Sequence, residues 1–230
     1  MLTHFFVTGT DARVGKTIVT RALLQALAAQ DRCVLGYKPI ATGSQELADG
    51  VRNKDAVTLQ QSSSISYPFN KITPLALADE DIYASQIPEN VFEIMTNGLN
   101  FMREEADSVV VEGCDGWRTL ITPHLYYSDW VRQQNMPVVL VVGIQEGCVS
   151  HALLTAQAII ADGLPLIGWV ANRINPCLAH YQETIEAISA NISAPLLGEI
   201  PYLPRAESRD MAKFINLSSF DMRTMAKTCE

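Results

Sequence analysis

Lys16 and Thr17 close the stretch Phe5-Phe6-Val7-Thr8-Gly9-Thr10-Asp11-Ala12-Arg13-Val14-Gly15-Lys16-Thr17. A short apolar run, two glycines and a Lys-Thr pair suit one kind of chemistry, the cradling of a polyphosphate. Glycines let backbone N–H groups turn inward around phosphate oxygens, and the helix that follows directs its positive end at them. Lys16 can then reach the β and γ phosphates, and the Thr17 hydroxyl can sit on Mg²⁺. Five residues, Thr10 to Val14, separate Gly9 from Gly15, one more than the strict phosphate-loop pattern allows. Three further residues could serve such a loop. Glu112 ends the β-branched run Ser108-Val109-Val110-Val111 and is either a metal-holding acid or a solvent-facing strand end. Asp55 is a second acid, or a helix cap. Lys38 follows a strand end and is a second phosphate-neutralising cation, or a solvated one.

These residues need strands and helices to position them. Residues 16–29 carry Ile18, Val19, Ala22, Leu23, Ala26 and Leu27 at helical spacing. Residues 33–37, 108–113, 137–143, 166–172 and 195–200 read as short buried strands. Helices are expected to follow at about 88–102, 128–134, 148–162 and 178–190, with another ending near Gln61. Gly98 weakens the first of these. Residues 40–87 carry no clear period. Strands alternating with helices predict an α/β fold of the P-loop NTPase kind, a mostly parallel sheet with helices on both faces. No repeat or linker divides residues 1–230, which read as a single domain, and residues 217–230 carry no pattern and are expected to be loosely ordered.

Seventeen Lys and Arg against twenty-five Asp and Glu give a net charge of −8. That argues against non-specific nucleic-acid binding and against an anionic membrane surface. Without a membrane-length apolar run or a signal-peptide layout, a cytoplasmic protein is expected. Cysteines 33, 114, 148, 177 and 229 are dispersed and odd in number, as free thiols are. The four histidines have no zinc-site spacing.

Further stretches complete a pattern: Gly36-Tyr37-Lys38-Pro39, Gly43-Ser44, Arg52-Asn53-Lys54-Asp55, Val111-Glu112-Gly113, Gly116-Trp117, the run 137–143, residues 147–157, Gly168 to Asn172 and Ala194 to Leu203. In this order, with Gly9 to Thr17, the chain resembles the dethiobiotin synthetases, the ATP-dependent carboxylase-cyclases of biotin synthesis, and most closely their second-copy bacterial paralogues. The resemblance runs from residue 5 to about 207.

It implies a ligase that adds CO₂ to an amine of 7,8-diaminononanoate, phosphorylates the carbamate with ATP and closes the ureido ring. Thr17, Asp55 and Glu112 would hold Mg²⁺. Lys16 and Lys38 would neutralise the transferring phosphoryl group as the catalytic pair. Nucleotide contacts fall on Arg13, Val14, Gly15, Lys16, Thr17 and Ile18, on Asp55, Glu112, Gly113, Cys114 and Asp115, and on Arg173. Asn172 with Pro201, Tyr202, Leu203 and Glu207 would surround adenine. Thr42 would contact the substrate, and Gly147, Cys148 and Ser150 would meet its carboxylate across a homodimer interface.

The chain departs from the family pattern in four places. Ala12 stands where Thr is usual, and Arg13 where an acidic or small residue is. Cys114 and Asp115 replace small residues of a VEGAGG run. Ser150 replaces Asn, and Asp79-Glu80-Asp81 stands where a Pro- and His-bearing wall is expected. Asp115 beside a polyphosphate would be repulsive unless Arg13 or Arg118 pairs with it. These departures motivate a second reading, an ATP-binding paralogue with another substrate or no catalysis. A P-loop switch ATPase or GTPase is a third, but Asn172-Arg173-Ile174-Asn175 lacks the acid that reads guanine.

Overall fold

The structure, a computed structural model, describes residues 4–48, 50–204 and 209–219. β1 (His4–Gly9) feeds α1 (Lys16–Ala28) through the glycine loop, and β2 (Val34–Tyr37) follows. Short pieces come next: β3 (Ile40–Ala41), β4 (Gln45–Leu47), β5 (Gly50–Arg52), α2 (Lys54–Ser62), α3 (Phe69–Ile72) and β6 (Leu75–Ala76). Longer elements resume with α4 (Val91–Glu105) and β7 (Ser108–Gly116). After them come β8 (Leu120–Thr122), β9 (Leu125–Tyr126), α5 (Tyr127–Gln133), β10 (Val138–Gly143), α6 (Cys148–Ala161), β11 (Leu166–Asn172), α7 (Tyr181–Asn191) and β12 (Leu196–Ile200).

The main sheet has the order β12-β11-β10-β1-β7-β2, and every pairing in it is parallel. Its strands read as unbroken apolar runs because both faces are covered. Alternation along β2 separates the two faces. Gly36 lies against Leu24 of α1 and Leu59 of α2. The next residue, Tyr37, points the opposite way and donates its hydroxyl to Met95 O of α4 at 2.9 Å. Gly98, which weakens the α4 pattern, is where the Tyr37 ring meets that helix, so a side chain there would collide with it. Val91, Met95, Leu99 and Met102 form the buried stripe of α4.

β1 lies between β7 and β10, while the chain leaves it for β2 on the far side of β7. Ligands bind at the carboxyl ends of strands beside such a switch in direction. The glycine loop, Lys38, Glu112 and Asp115 all lie at or just beyond those ends.

The six strands of this sheet are the six expected from apolar runs. The α7 helix begins at Tyr181 rather than Leu178, after His180 takes a left-handed conformation (φ 55°). The start of α6 is capped by Gly147 (φ 79°), with no side-chain cap. Glu207 and residues 220–230 lie outside the described residues.

Candidate functional site

Gly15 (φ 87°) ends the glycine loop and is the N-cap of α1. Its left-handed turn suits glycine, and the Asn172 amide packs where a side chain would grow. Asn172 Nδ2 donates to Val14 O at 2.9 Å, so the end of β11 braces the loop from beneath. Lys16 folds back across the loop, its Nζ donating to Asp11 O (3.1 Å) and Asp115 O (2.6 Å). Burial, and then the charge of nearby Lys38, pulls its pKa below the usual lysine range, against the opposing pull of Glu112, Cys114 and Asp115.

The first residues of α1 and the ends of β2 and β7 meet at Glu112, which is fully buried. Glu112 Oε1 accepts from Thr17 Oγ1 at 2.9 Å and from Lys38 Nζ at 2.7 Å. Lys38 is 4 % exposed and also lies 3.7 Å from Asp55 Oδ2. Burial alone would lower its pKa, but the Glu112 carboxylate, then Cys114 and Asp55, outweigh burial and raise it. Lys38 is therefore a fixed cation. Two buried lysines with one pulled down by the other form a site that an anion would relax.

Asp55 reaches the cleft because another residue takes the cap. Asn53 Oδ1 accepts from the N–H groups of Asp55 (3.0 Å) and Ala56 (3.1 Å), and its Nδ2 donates to Thr42 O at 2.8 Å. The same side chain thus fixes both Asp55 and Thr42.

Glu112 Oε2 is buried without a hydrogen-bond partner. An orphaned carboxylate oxygen is costly unless something comes to it. With Thr17 and Asp55 beside the same cleft, the donors are hard oxygens, few in number. They fit Mg²⁺, which takes its remaining ligands from phosphates and water. Among the described residues no group of three or more His, Cys, Asp or Glu could hold a metal, which is consistent with so sparse a set.

The cleft is about 490 Å³. It brings together Arg13, Gly15, Lys16, Thr17, Ile18, Lys38, Thr42, Asp55, Glu112, Cys114 and Asp115 of the expected residues. Val14 is buried beneath the loop, and Gly113 lies behind it against Phe6. Asn172, Arg173, Pro201, Tyr202 and Leu203 do not line the cleft, nor do Gly147, Cys148 and Ser150 at the start of α6. Arg21, Lys54, Thr58, Glu80 and Asp81 line it and were not singled out by sequence as site residues. Arg21 stands four residues after Thr17, on the same face of α1, which was the available signal.

The structure corrects one expectation. Arg118 does not neutralise Asp115. It makes a two-pronged ion pair with Asp162 (2.6 and 3.0 Å), which also accepts from Trp117 Nε1 at 2.7 Å. Among the described residues Arg13 makes no ion pair with Asp115 either. Asp115 is exposed and left-handed (φ 39°), and it meets Lys16 through its carbonyl. Cys114 turns away from the loop and donates its thiol to Ile40 O at 3.2 Å; burial keeps that thiol protonated.

A family model described as an AAA domain matches residues 3–209. A protein of Salmonella typhimurium named ATP-dependent dethiobiotin synthetase BioD 2 is 56% identical over 219 residues, 95% of this chain and 94% of that protein. The Yersinia pestis protein of the same name is 54% identical, over 95% of this chain and 99% of its own. A Vibrio campbellii ATP-dependent dethiobiotin synthetase BioD is 46% identical, over 94% and 97%. Solved structures with the same fold include the MinD cell division protein of Aquifex aeolicus (TM-score 0.54, covering 94% of this chain and 88% of that one). A ParA family ATPase of Chlorobium tepidum also matches (TM-score 0.55, 96% and 100%). Both are 15% identical and speak for the fold alone.

Proposed function

The chain belongs to the ATP-dependent dethiobiotin synthetase family, and we propose that it converts 7,8-diaminononanoate, CO₂ and ATP into dethiobiotin, ADP and phosphate. The observation that carries this is the meeting of Lys38, Thr17 and Asp55 on the buried Glu112, beside Lys16 and the glycine loop. Relatives at 54–56% identity over 95% of the chain bear the synthetase name. They do not favour the second reading, a paralogue with lost or altered activity.

One substrate amine adds to CO₂ and loses a proton, giving a carbamate. A carbamate oxygen attacks the γ-phosphorus and ADP leaves. The second amine attacks the carbonyl carbon of the resulting anhydride, phosphate departs and the urea ring closes. Lys16 and Lys38 stabilise the negative charge that builds on the transferring group, in a site where burial strengthens their fields. The Glu112 carboxylate raises the pKa of Lys38 against burial, so Lys38 acts by its charge and not as a base. Thr17, Asp55 and Glu112 would hold Mg²⁺, which when bound supplies Lewis-acid neutralisation of the phosphates. Asn53 fixes Thr42 and Asp55 relative to each other, so the substrate hydroxyl contact and the metal side keep register. Ring closure between two amines of one molecule depends chiefly on such positioning.

A second groove, about 510 Å³, shares Asp115 with the cleft and runs past Ile82, Tyr83, Trp117, Leu120, Leu154 and Ala158. Its apolar walls suit the hydrocarbon chain of the diamine. Leu154 and Ile160 of α6 are 62% and 52% exposed, which supports a homodimer in which the start of α6, at Gly147, Cys148 and Ser150, meets the carboxylate of a substrate held by the partner. Asn172, Arg173, Pro201, Tyr202 and Leu203 serve the adenine side. The chain acts as one domain in the cytoplasm; among the described residues no helix is long and apolar enough to cross a membrane.

The test is turnover: purified protein with diamine, bicarbonate, Mg²⁺ and ATP yields dethiobiotin and ADP in equal amounts. Tight ATP binding without dethiobiotin would contradict the proposal.

A further inference from the structure

Two backbone carbonyls hold the Lys16 ammonium over the glycine loop. Asp11 O, within the loop, accepts from Lys16 Nζ at 3.1 Å, and Asp115 O, near the end of β7, accepts at 2.6 Å. Both carbonyls stand over Gly9, where a side chain would begin 2.9 Å from the first and 3.3 Å from the second. An ammonium has three donors. With two taken by these carbonyls, the direction of the third is set, and that third N–H is the one left for a phosphate oxygen.

The Asp115 carbonyl needs support to keep this aim. Asp115 is left-handed (φ 39°), a conformation that costs more for Asp than for Gly and persists where the surroundings hold it. Thr119 supplies the hold. Its Oγ1 lies 3.0 Å from Cys114 O and 2.7 Å from Gly116 O, the two carbonyls that flank Asp115, and its one hydroxyl proton can serve either. Thr119 is fixed in turn. Its own carbonyl accepts from Tyr127 N at the start of α5 at 2.8 Å, and its neighbours Trp117 and Arg118 are bonded to Asp162 at the end of α6. Thr119 is 8 % exposed and does not line the cleft, so it reaches the cleft only through the backbone of residues 114–116.

We infer that Thr119 is a positioning residue for Lys16. By bridging the carbonyls on either side of Asp115, it aims the Asp115 carbonyl at the ammonium and so directs the remaining Lys16 N–H at the phosphate oxygens. This rests on the assignment of Lys16 to the transferring phosphoryl group.

A double-mutant cycle tests it. Thr119→Val keeps the shape and removes the donor, Thr119→Ser keeps the donor, and Lys16→Met removes the ammonium. Two quantities are measured for each variant, and for Thr119→Val combined with Lys16→Met. One is calorimetric affinity for ATP with Mg²⁺ and without diamine; the other is kcat for dethiobiotin formation. Thr119→Val is expected to weaken ATP binding about threefold and to lower kcat about tenfold, because a misdirected charge is felt most in the transition state. Thr119→Ser is expected to recover most of both losses. In the Lys16→Met protein, Thr119→Val is expected to change ATP affinity by less than about 1.5-fold, since the group it positions is gone. The same fold-loss in both backgrounds would mean that Thr119 holds the loop without acting through Lys16, and would overturn the proposal; so would wild-type affinity and kcat in Thr119→Val. Should Thr119→Val fail to fold, Thr119→Cys, a weaker donor of similar size, decides by the same cycle. Wild-type protein that binds ATP without forming dethiobiotin overturns the proposed reaction, and the affinity cycle still decides the role of Thr119.

Discussion

Lys38 Nζ lies 2.7 Å from Glu112 Oε1, with both side chains withdrawn from water. The pair is the pivot of the site, since Thr17 shares the same carboxylate oxygen and Asp55 the same ammonium. Removing one partner strands the other. Lys38→Met should lower kcat by about 10²-fold or more through lost charge stabilisation. It should also cost about 3 kcal/mol of stability by leaving Glu112 unpaired. Glu112→Gln should abolish the Mg²⁺ dependence of nucleotide affinity. Steady-state kinetics and thermal melts of both variants check this; an active Lys38→Met enzyme would contradict it.

Asn53 joins a helix cap to the cleft. Asn53→Ala should cost about 1 kcal/mol from the cap alone. It should also weaken Mg²⁺–ATP binding, because Asp55 and Thr42 lose their shared anchor. Calorimetric binding measured beside the melt separates the two effects. A stability loss with unchanged nucleotide affinity would show that Asp55 is held by something else.

Asp115 occupies a left-handed position with no ion-pair partner among the described residues. Left-handed backbone is cheaper for Asp than for most residues but cheapest for Gly. Asp115→Gly should raise stability by up to about 1 kcal/mol, partly offset by the freedom glycine gains when unfolded. It should also lower KM for ATP, since an exposed anion leaves the phosphate side of the cleft. Melting temperature and KM are the readouts, and a loss in both would indicate that Asp115 recognises substrate.

His4 gives an acid-side signature. Burial, then the charge of Arg103, lowers its pKa from 6.5 to about 4, against a backbone hydrogen bond at Gln134. The folded state thus binds fewer protons than the unfolded chain between these values. His4 imposes no penalty above about pH 6.5 and costs stability increasingly as pH falls towards 4. His4→Gln should flatten the stability curve in that window. The slope removed should be well under about 1.4 kcal/mol per pH unit, because the ring is only partly buried. Denaturant midpoints at pH 4.5, 5.5 and 7 measure it (about two units of the window).

The legible parts of this chain were those with strong local signals. Val109, Val110 and Val111, or the run at 138–143, can be little other than buried strands, and the six sheet strands followed from such runs. Residues 40–87 were opaque because β3 and β6 have two residues each and β4 and β5 three, too few for any period to register. Lys16, Thr17, Lys38, Asp55 and Glu112 were readable from type and spacing, and they converge. Glu80 and Asp81 were missed as site residues because what brings them to the cleft is tertiary packing, whereas Arg21 shares the Thr17 face of α1 and could have been read from it. The pairing of Arg118 with Asp162 was invisible for the same reason. Its partner is forty-four residues away on another element, and Asp115, three residues away in sequence, offered a nearer but false candidate.

In the proposed reaction a carbamate made from CO₂ attacks ATP in this cleft. Oxygen isotope transfer tests it most directly. With ¹⁸O-labelled CO₂, unlabelled water and turnover kept short relative to exchange with solvent, the mechanism sends one labelled oxygen into the released phosphate while another stays in the ureido carbonyl of dethiobiotin. Labelled phosphate formed together with labelled dethiobiotin is the expected result. Phosphate that carries only unlabelled oxygen would mean that water, and not a carbamate, takes the γ-phosphoryl group, and would contradict the account.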